Sequence, residues 1–533
     1  MEIAPPSKVR RRTGGCLLIE VERKFVVDDD AELPGFDSLA PSLRVGSVET
    51  VDLDAVYYDT PDYRLARTGA TLRLRLGGED AGWHLKLPGQ GADTRIELRR
   101  PAPLLEVASL LLEPPQVPEE LIDLTLARSG GRRLQPVVRL STQRTRTLLV
   151  NPESRPLAEV DEDDVGAFFD GRSEPRDRWR ELEVELLEGS PKELAEISRE
   201  LERCGGRPAE YPSKFVRAVG AAAANPLIAE PAPTKGAPDS VAKVFTKRWH
   251  DLVLELIERD AGVRLGEVEA VHRMRVAVRR LRSALWTFAP VLDKASAEWL
   301  RDELGWLGSA LGPLRDSDVL SSELNKLLDT IPSEEVLGPV RDEIASHFAA
   351  ARHKALDDAL EAMRSDRYLS LLHVLRAVSL APPTRPRAKR TIEKAGPWLL
   401  RRELERVARR VEAASSTAGG PQREHALHEV RKAAKGMRYA AEAFEPFLGK
   451  VATRIASRFE AIHEHLGEGQ DAVVARALLR ELGAKAGARP GHNGYTYGLL
   501  AGLEQRRFNH AAAELPELWR AASRAKLWDE LDR

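Results

Sequence analysis

The hydrophobic pattern of this chain changes period once, and that change divides what it can fold into. From about residue 16 to 187, apolar and charged residues alternate in short runs separated by Pro/Gly/Asp-rich turns, the pattern of half-buried strands. From about 241 to the end, apolar residues recur with a period near 3.6 and strand signals vanish. Two helical patterns, Glu119–Arg128 and Pro191–Cys204, accompany the strands. Segregated strands and helices point to an α+β chain with separate β and all-α domains. At 533 residues, roughly two to four domains are expected. The expected boundaries are a leader over 1–15, a β domain over 16–220, an Ala/Pro-rich linker over 221–240 and a helical domain over 241–533.

Charge excludes some functions. The 81 basic and 83 acidic side chains leave a net charge of −2, so attraction for an anion must come from local segregation of charge. Cys16 and Cys204 make neither a disulfide framework nor a zinc site, which fits a reducing, cytoplasmic setting. No segment approaches the roughly 20 apolar residues of a membrane helix, and the apolar run Cys16–Ile19 is too short for a signal peptide. No membrane partner is expected, and the sequence carries no signal of oligomeric state.

Within the β half, sign is sorted by strand. Glu20, Glu22 and Lys24 share one face of a strand, and Ile19, Val21 and Phe25 share the other. Arg73 and Arg75 alternate with leucines, as do His84 and Lys86. Arg95, Glu97 and Arg99 do the same, and Glu181, Glu183 and Glu185 form an all-acidic face. Arg144 and Arg146 share a face, and so do Glu159 and Asp161. An antiparallel sheet with one wet face alternates in this way too, but a solvated surface usually mixes signs within a strand. Closing the sheet into a barrel with its charged faces inward gives the sorting a purpose. Guanidinium and ammonium groups would neutralise phosphate oxygens, and a carboxylate cluster would hold Mg²⁺ or Mn²⁺.

Glu20-x-Glu22-x-Lys24 resembles the signature of CYTH domains, the triphosphate tunnel metalloenzymes. Tyr57-Tyr58-Asp59-Thr60, Leu72-Arg73-Leu74-Arg75, Lys86, Gln143-Arg144-Thr145-Arg146, Glu181–Glu185 and Ser213-Lys214-Phe215 follow in the family's order, so the resemblance covers about 16–220. It implies a tunnel of eight antiparallel strands open at both ends. It also implies metal-dependent hydrolysis of inorganic triphosphate, with Glu20, Glu22 and Lys24 at the reacting centre. Glu20, Glu22, Asp161, Glu183 and Glu185 match metal-binding carboxylates; Glu159 is an alternative to Asp161, and the run Glu181/Glu183/Glu185 offers one acid more than the match needs. Lys24, Arg73, Arg75, Lys86, Arg144, Arg146 and Lys214 match triphosphate-binding cations.

The helical half contains a repeat. Val271-His272-x-x-Arg275 recurs as Leu427-His428-x-x-Arg431, and Leu311-Gly312-x-x-Arg315-Asp316 recurs as Leu466-Gly467-x-x-Gln470-Asp471, at offsets of 156 and 155 residues. His272, Arg275, Arg279 and Arg282 fall within an arc of roughly 80° on one helix. His428, Arg431, Lys435 and Arg438 repeat that spacing on another. A basic helix stripe is commonly just a solvated face, but two copies in matched order suggest a groove for a long polyanion. The segment 241–533 resembles the CHAD domain (conserved histidine alpha-helical domain), a family associated with binding inorganic polyphosphate. Lys435 stands where the first repeat has Arg, and Gln470 where it has Arg315, so the second repeat is expected to grip less strongly.

Three other functions compete with a triphosphatase that holds polyphosphate. The chain would instead be a non-catalytic protein targeted to polyphosphate granules, or an enzyme acting on an organic triphosphate such as thiamine triphosphate or ATP. Nucleic-acid binding is the third, and aromatic content of 5% with no Phe or Tyr among the basic positions of the first stripe argues against it.

Overall fold

The computed structural model describes residues 10–12, 15–28, 36, 43–89, 91, 93–102, 115–169, 172, 174–227, 239–490 and 492–532, with side chains from residue 17 onward. The chain forms two compact units, Met1–Ala229 and Glu230–Arg533.

In the first unit, strands β2 (Gly15–Val26), β3 (Arg44–Asp59), β4 (Thr71–Leu76), β5 (Gly82–Pro88), β6 (Thr94–Arg100), β7 (Gln135–Val150), β8 (Pro156–Phe168) and β9 (Asp177–Leu186) pair antiparallel in the order β2-β6-β5-β4-β3-β7-β8-β9. β9 returns to β2, so the sheet closes as a barrel. Residues 10–12, within the expected leader, form β1, paired with β2; β10 (Arg207–Pro208) also adds to β2.

Alternation decides which side chains face the lumen. Glu20 and Glu22 point inward and are buried. Phe25 points outward, where it packs with Val160, Leu182 and Val184. Leu194, Ile197 and Leu201 of helix α2 (Pro191–Arg203) cover that outer face. Pro191 at the first helical position and the Ser190/Glu193 capping box fix where α2 starts. Helix α1 (Glu119–Ser129) precedes β7 and buries Leu121 and Leu124.

The lumen is not open at both ends. Inward-facing Ala55, Tyr57, Val138, Leu140, Val165, Ala167 and Trp179 form an apolar cluster with Phe215 and Val216 of the short helix α3 (Lys214–Val219). The Phe215 ring stacks on Tyr57 with centroids 5.3 Å apart. The hydroxyl of Ser213 accepts a bond from Val216 N and starts α3 here, which directs Lys214 into the lumen. Polar inward positions thus give way to apolar ones toward that mouth, and α3 stoppers it. In the stretch expected as a linker, Ala221–Ala224 form the one-turn helix α4, and 228–238 lie outside the described residues.

The second unit is helical. α5 (Val241–Arg264), α6 (Val268–Thr287), α7 (Lys294–Leu328), α8 (Val340–Arg364) and α9 (Asp366–Leu380) precede α10 (Ile392–Ser416), α11 (Pro421–Gly487) and α12 (Tyr495–Ala522). The repeat offset aligns α6 with the first arm of α11 and α7 with its second. α6 and α7 are joined by a short connection, whereas the arms of α11 meet at a bend where Gly449 takes φ +57°, a conformation that favours glycine. Gly312-Pro313 is a pair that commonly ends a helix, yet α7 runs through Pro313. Leu311 and Leu314 are fully buried on either side, and that packing outweighs the ~3 kcal/mol a proline costs inside a helix. The two halves meet where α6 crosses α11: Ser283 donates to the Gly436 carbonyl at 3.3 Å, and Phe288 packs edge-on against Phe444.

Candidate functional site

Strand pairing sets the lumen side chains in rows. One row is acidic: Glu22 of β2 stands opposite Glu185 of β9, which stands opposite Glu159 of β8. The next alternates in sign, as Lys24, Glu183, Asp161 and Arg146 follow one another across β2, β9, β8 and β7. A third carries Glu181, Asp163 and Arg144. On the other side of β2, Glu97 pairs with Lys86, and Arg99, His84, Arg73 and Tyr57 form a row across β6 to β3. These walls enclose a cavity of about 710 Å³. Glu20, Glu22, Lys24, Arg73, Arg75, Lys86, Arg144, Arg146, Glu159, Glu183, Glu185 and Lys214 all line it. Asp161 and Glu181 are buried in the same wall.

Two groups of acids differ in how they are neutralised. Lys214 Nζ lies 2.8, 2.7 and 2.8 Å from Asp163, Glu181 and Glu183. Arg144 makes a two-pronged pair with Asp163, 2.7 Å on each side, and also reaches Asp161 and Glu183. Burial, the largest influence on each, would raise the Asp163 and Glu183 carboxyls, but Lys214 and Arg144 together, with Lys24 beside Glu183, outweigh it and both lie below their usual range. The acidic row is neutralised unevenly: Lys24 and Lys86 hold Glu22 below its usual range against burial, whereas its neighbours in the row lie above theirs. Glu185 makes no ion pair within 4.0 Å among the described residues. Burial, with the charges of Glu20, Glu22 and Glu159 around it, pushes its carboxyl up to about 8. Burial also raises Glu20, against the pull of Lys86 at 2.6 Å. Glu159 is raised by burial too, with Arg146 at 3.2 Å opposing. Like charges directly opposite across strands are unfavourable, and among the described residues Glu185 is the acid of this row that lacks an ion pair to offset them.

The cations crowd as well. Burial, then the neighbouring Arg73 and Arg144, lower Arg75 to about 9. Arg73 donates to the Tyr57 hydroxyl at 3.2 Å.

The structure adds residues to this site that the sequence reading leaves out. Asp163 is wholly buried against Arg144 and Lys214; its parity with Glu159 and Asp161 was a usable signal. Glu97 holds the His84 ring at 2.8 Å and bonds Arg99, which also reaches Glu20 at 3.4 Å. Both lie on the charged face of β6.

In the helical unit, the predicted basic positions fall into two groups. Arg275, Arg279, Arg431, Lys435 and Arg438 act on one another strongly enough to move their neighbours. Burial, then Arg279, Arg431, Arg438 and Arg275, bring Lys435 down to about 7. Arg279 is likewise lowered, by burial first and by Arg275 and Arg431. Asp316 holds Arg275 at 2.8 Å, and the Gly312 carbonyl accepts from Arg275 at 3.0 Å. The matching Gly467 lets Arg431 lie against α11, since a Cβ there would meet its guanidinium at 3.3 Å. Arg438 is paired with Glu442 and Glu460 at 2.7 and 2.8 Å. Outside that group, burial and then Arg315 lower His272, burial and Lys432 lower His428, and Arg282 lies beside Gly305. His463 was not anticipated. Burial, then Lys435 and Arg431, hold its ring neutral, down to about 3, and neither ring nitrogen has a hydrogen-bond partner. The repeat gave no signal for it, because the equivalent position in the first half is Gly308.

No helix among the described residues is long and apolar enough to cross a membrane. The CYTH domain family matches residues 18–211, and the CHAD domain family matches residues 248–480. An uncharacterized protein of Mycobacterium tuberculosis is 35% identical over 529 residues, spanning 95% of this chain and 98% of that one. Among solved structures, PptA from Streptomyces chartreusis is 20% identical, covering 53% of this chain and 100% of that chain, with a TM-score of 0.44. The CHAD domain from the plant Ricinus communis is 26% identical, covering 57% of this chain and 95% of that one, with a TM-score of 0.39. The chain belongs to the proteins that join a CYTH triphosphate-tunnel domain to a CHAD domain.

Proposed function

We propose that the barrel hydrolyses inorganic triphosphate with Mg²⁺ or Mn²⁺ and that the helical unit holds inorganic polyphosphate. The observation that carries the first part is the acidic row Glu22–Glu185–Glu159 sharing one lumen with Arg73, Arg75 and Lys86. All of its donors are carboxylate oxygens, the ligand set that suits Mg²⁺ and Mn²⁺. Asp161, Glu181 and Glu183 are already engaged by Arg144 and Lys214. Glu20, Glu22 and Glu159 are paired too, with Lys86, Lys24 and Arg146, but they flank Glu185, which has no such partner among the described residues. This favours Glu185 with Glu20, Glu22 and Glu159 as the residues that hold metal, while Glu181, Glu183 and Asp161 keep the lumen cations in place.

When bound, the metal would neutralise phosphate charge and make a water acidic enough to attack. The chain's own residues do the rest. Arg73, Arg75 and Lys86 bind the phosphate oxygens, and Arg144 and Arg146 complete the cradle from β7. Lys24, held by Glu22 at 3.4 Å and by Glu183, stands between the acidic row and the cations, where it can steady the transferring group. The α3 stopper limits entry to the other mouth.

In the helical unit, the crowding of Arg279, Arg431 and Lys435, beside the acid-paired Arg275 and Arg438, suits a ligand that supplies many negative charges in line. A panel of tripolyphosphate, ATP and thiamine triphosphate tests the assignment. Tripolyphosphate should be cleaved at least about tenfold faster than the organic substrates. Faster cleavage of either organic triphosphate overturns the inorganic assignment. Polyphosphate binding without release of phosphate from any of the three would make the chain a binding protein.

A further inference from the structure

A second constellation of metal-ligand side chains lies in the helical unit, on the packed pair α11 and α12. His465 comes from α11, and His510 and Glu514 come from α12. His510 and Glu514 are four residues apart, which places them on one face of α12. One turn from His465, Gly469 faces Ala511, and a Cβ on that glycine would sit 3.0 Å from the Ala511 methyl. The glycine lets the two helices approach closely at the level where the three side chains meet.

We propose that His465, His510 and Glu514 bind a single divalent cation of the zinc class. One ligand atom from each lies within 4.8 Å of the others. His465 Nε2 is 3.2 Å from one Glu514 oxygen, and His510 Nε2 is 3.3 Å from the other. An ion about 2.0–2.1 Å from tetrahedral nitrogen and oxygen ligands holds those ligands roughly 3.3 Å apart, so the cluster is already near the required size. His465 Nε2 is buried and makes no hydrogen bond, although the Glu514 carboxylate lies beside it. A lone pair in that position is satisfied by an ion between the two groups. The imidazole planes are inclined at 51° with centroids 5.8 Å apart, which lets both rings aim at a common point without stacking. Two imidazoles and a carboxylate select zinc-like ions over Mg²⁺, in contrast to the all-oxygen row of the barrel. Three protein ligands leave a fourth position, on the side where His510 and Glu514 are exposed.

The test uses the full-length protein saturated with Mg²⁺, which fills oxygen sites and competes poorly for imidazole. Zn²⁺ binding is then measured by equilibrium dialysis. The wild type should take up about one equivalent that H465A and H510A bind at least tenfold more weakly. E514Q should weaken it by about tenfold. The His510 side chain is 69% exposed, so H510A spares the fold, and Zn²⁺ should raise the melting temperature of wild type and not of H510A. Absence of Zn²⁺ uptake by the Mg²⁺-saturated protein, or equal uptake by wild type and H510A, would overturn the proposal.

Discussion

The barrel and the basic cluster of the helical unit, where the sequence suggested a groove, both gather basic side chains, but they answer the resulting charge differently. In the barrel nearly every cation faces a carboxylate: Lys214 touches three, Arg144 touches three, and Lys86 lies near Glu20, Glu22 and Glu97. In the basic cluster, Arg279, Arg431 and Lys435 face one another, and burial with that crowding lowers Lys435 to about 7. A compensated site can be buried and rigid, and is suited to a small substrate carried with its own cation. An uncompensated site stores repulsion that only an anionic ligand relieves. The same residue type should therefore behave differently in the two places.

The largest expected effect is on the barrel's stability. Arg144→Ala takes one buried partner from each of Asp161, Asp163 and Glu183 and leaves Lys214 and Arg146 to hold them, and loss of one member of such a buried set costs about 3–5 kcal/mol. Urea denaturation should show it as a lowered midpoint, and an unchanged midpoint would break the contrast. Arg431→Ala is the counterpart in the basic cluster: it removes a repulsive neighbour, so the midpoint should stay within ~0.5 kcal/mol of wild type or rise.

Next comes affinity. Arg275→Ala together with Arg431→Ala should weaken polyphosphate binding by about tenfold or more, each lost charge-assisted contact being worth ~1.5–3 kcal/mol. Tripolyphosphate hydrolysis should change less than twofold. Parallel loss of both activities would mean that the two sites are one.

A smaller effect is on pH. Lys435 in the free protein titrates near 7, and a bound polyanion favours its charged form. Below pH 7 the lysine is already charged and makes no pH-dependent contribution to binding. Above 7, binding must take up a proton, so affinity should fall by at most about tenfold per pH unit. The sign for stability is the reverse of an ordinary paired lysine. Its folded value lies below the unfolded one, so the cost of the buried charge is complete below 7 and fades as pH rises toward 10.5. Lys435→Met should flatten the binding profile between pH 7 and 9; a profile as steep as wild type would assign the proton elsewhere. Smallest of all, Gly467→Ala should shift Arg431 by a few tenths of an ångström and lower polyphosphate affinity only a few-fold, a loss of ~1 kcal/mol or less by titration.

Much of the barrel was legible because alternation is a local signal. Once Glu20, Glu22 and Lys24 share a face, closure of the sheet puts them in the lumen. Register is not local. That Glu22, Glu185 and Glu159 would stand in one row, and that Glu183 would face Lys24, depends on strand offsets set by turns far apart in sequence. For that reason the sequence left Glu159 and Asp161 as alternatives and one surplus acid in the run Glu181/Glu183/Glu185, and it offered no way to see that Lys214 occupies Asp163, Glu181 and Glu183. The α3 stopper was hidden for a similar reason: Phe215 and Val216 read as a short apolar run, and only the inward parity of Val138, Leu140, Val165 and Ala167 shows what they fill. In the helical half the repeat exposed the paired stripes. His463 lies outside any repeated position, and Pro313 looked like a helix end because packing, which overrides it, is not written in the local residues.

Under the proposed function, the barrel's acidic row holds metal beside a triphosphate. Phosphate release from tripolyphosphate by the full-length protein, with Mg²⁺ or Mn²⁺ and then with a chelator, tests this most directly, in wild type and in Glu22→Gln. Turnover that needs the metal and falls by about a hundredfold or more in Glu22→Gln is the predicted result. Turnover that survives chelation, or that the substitution leaves intact, would contradict it.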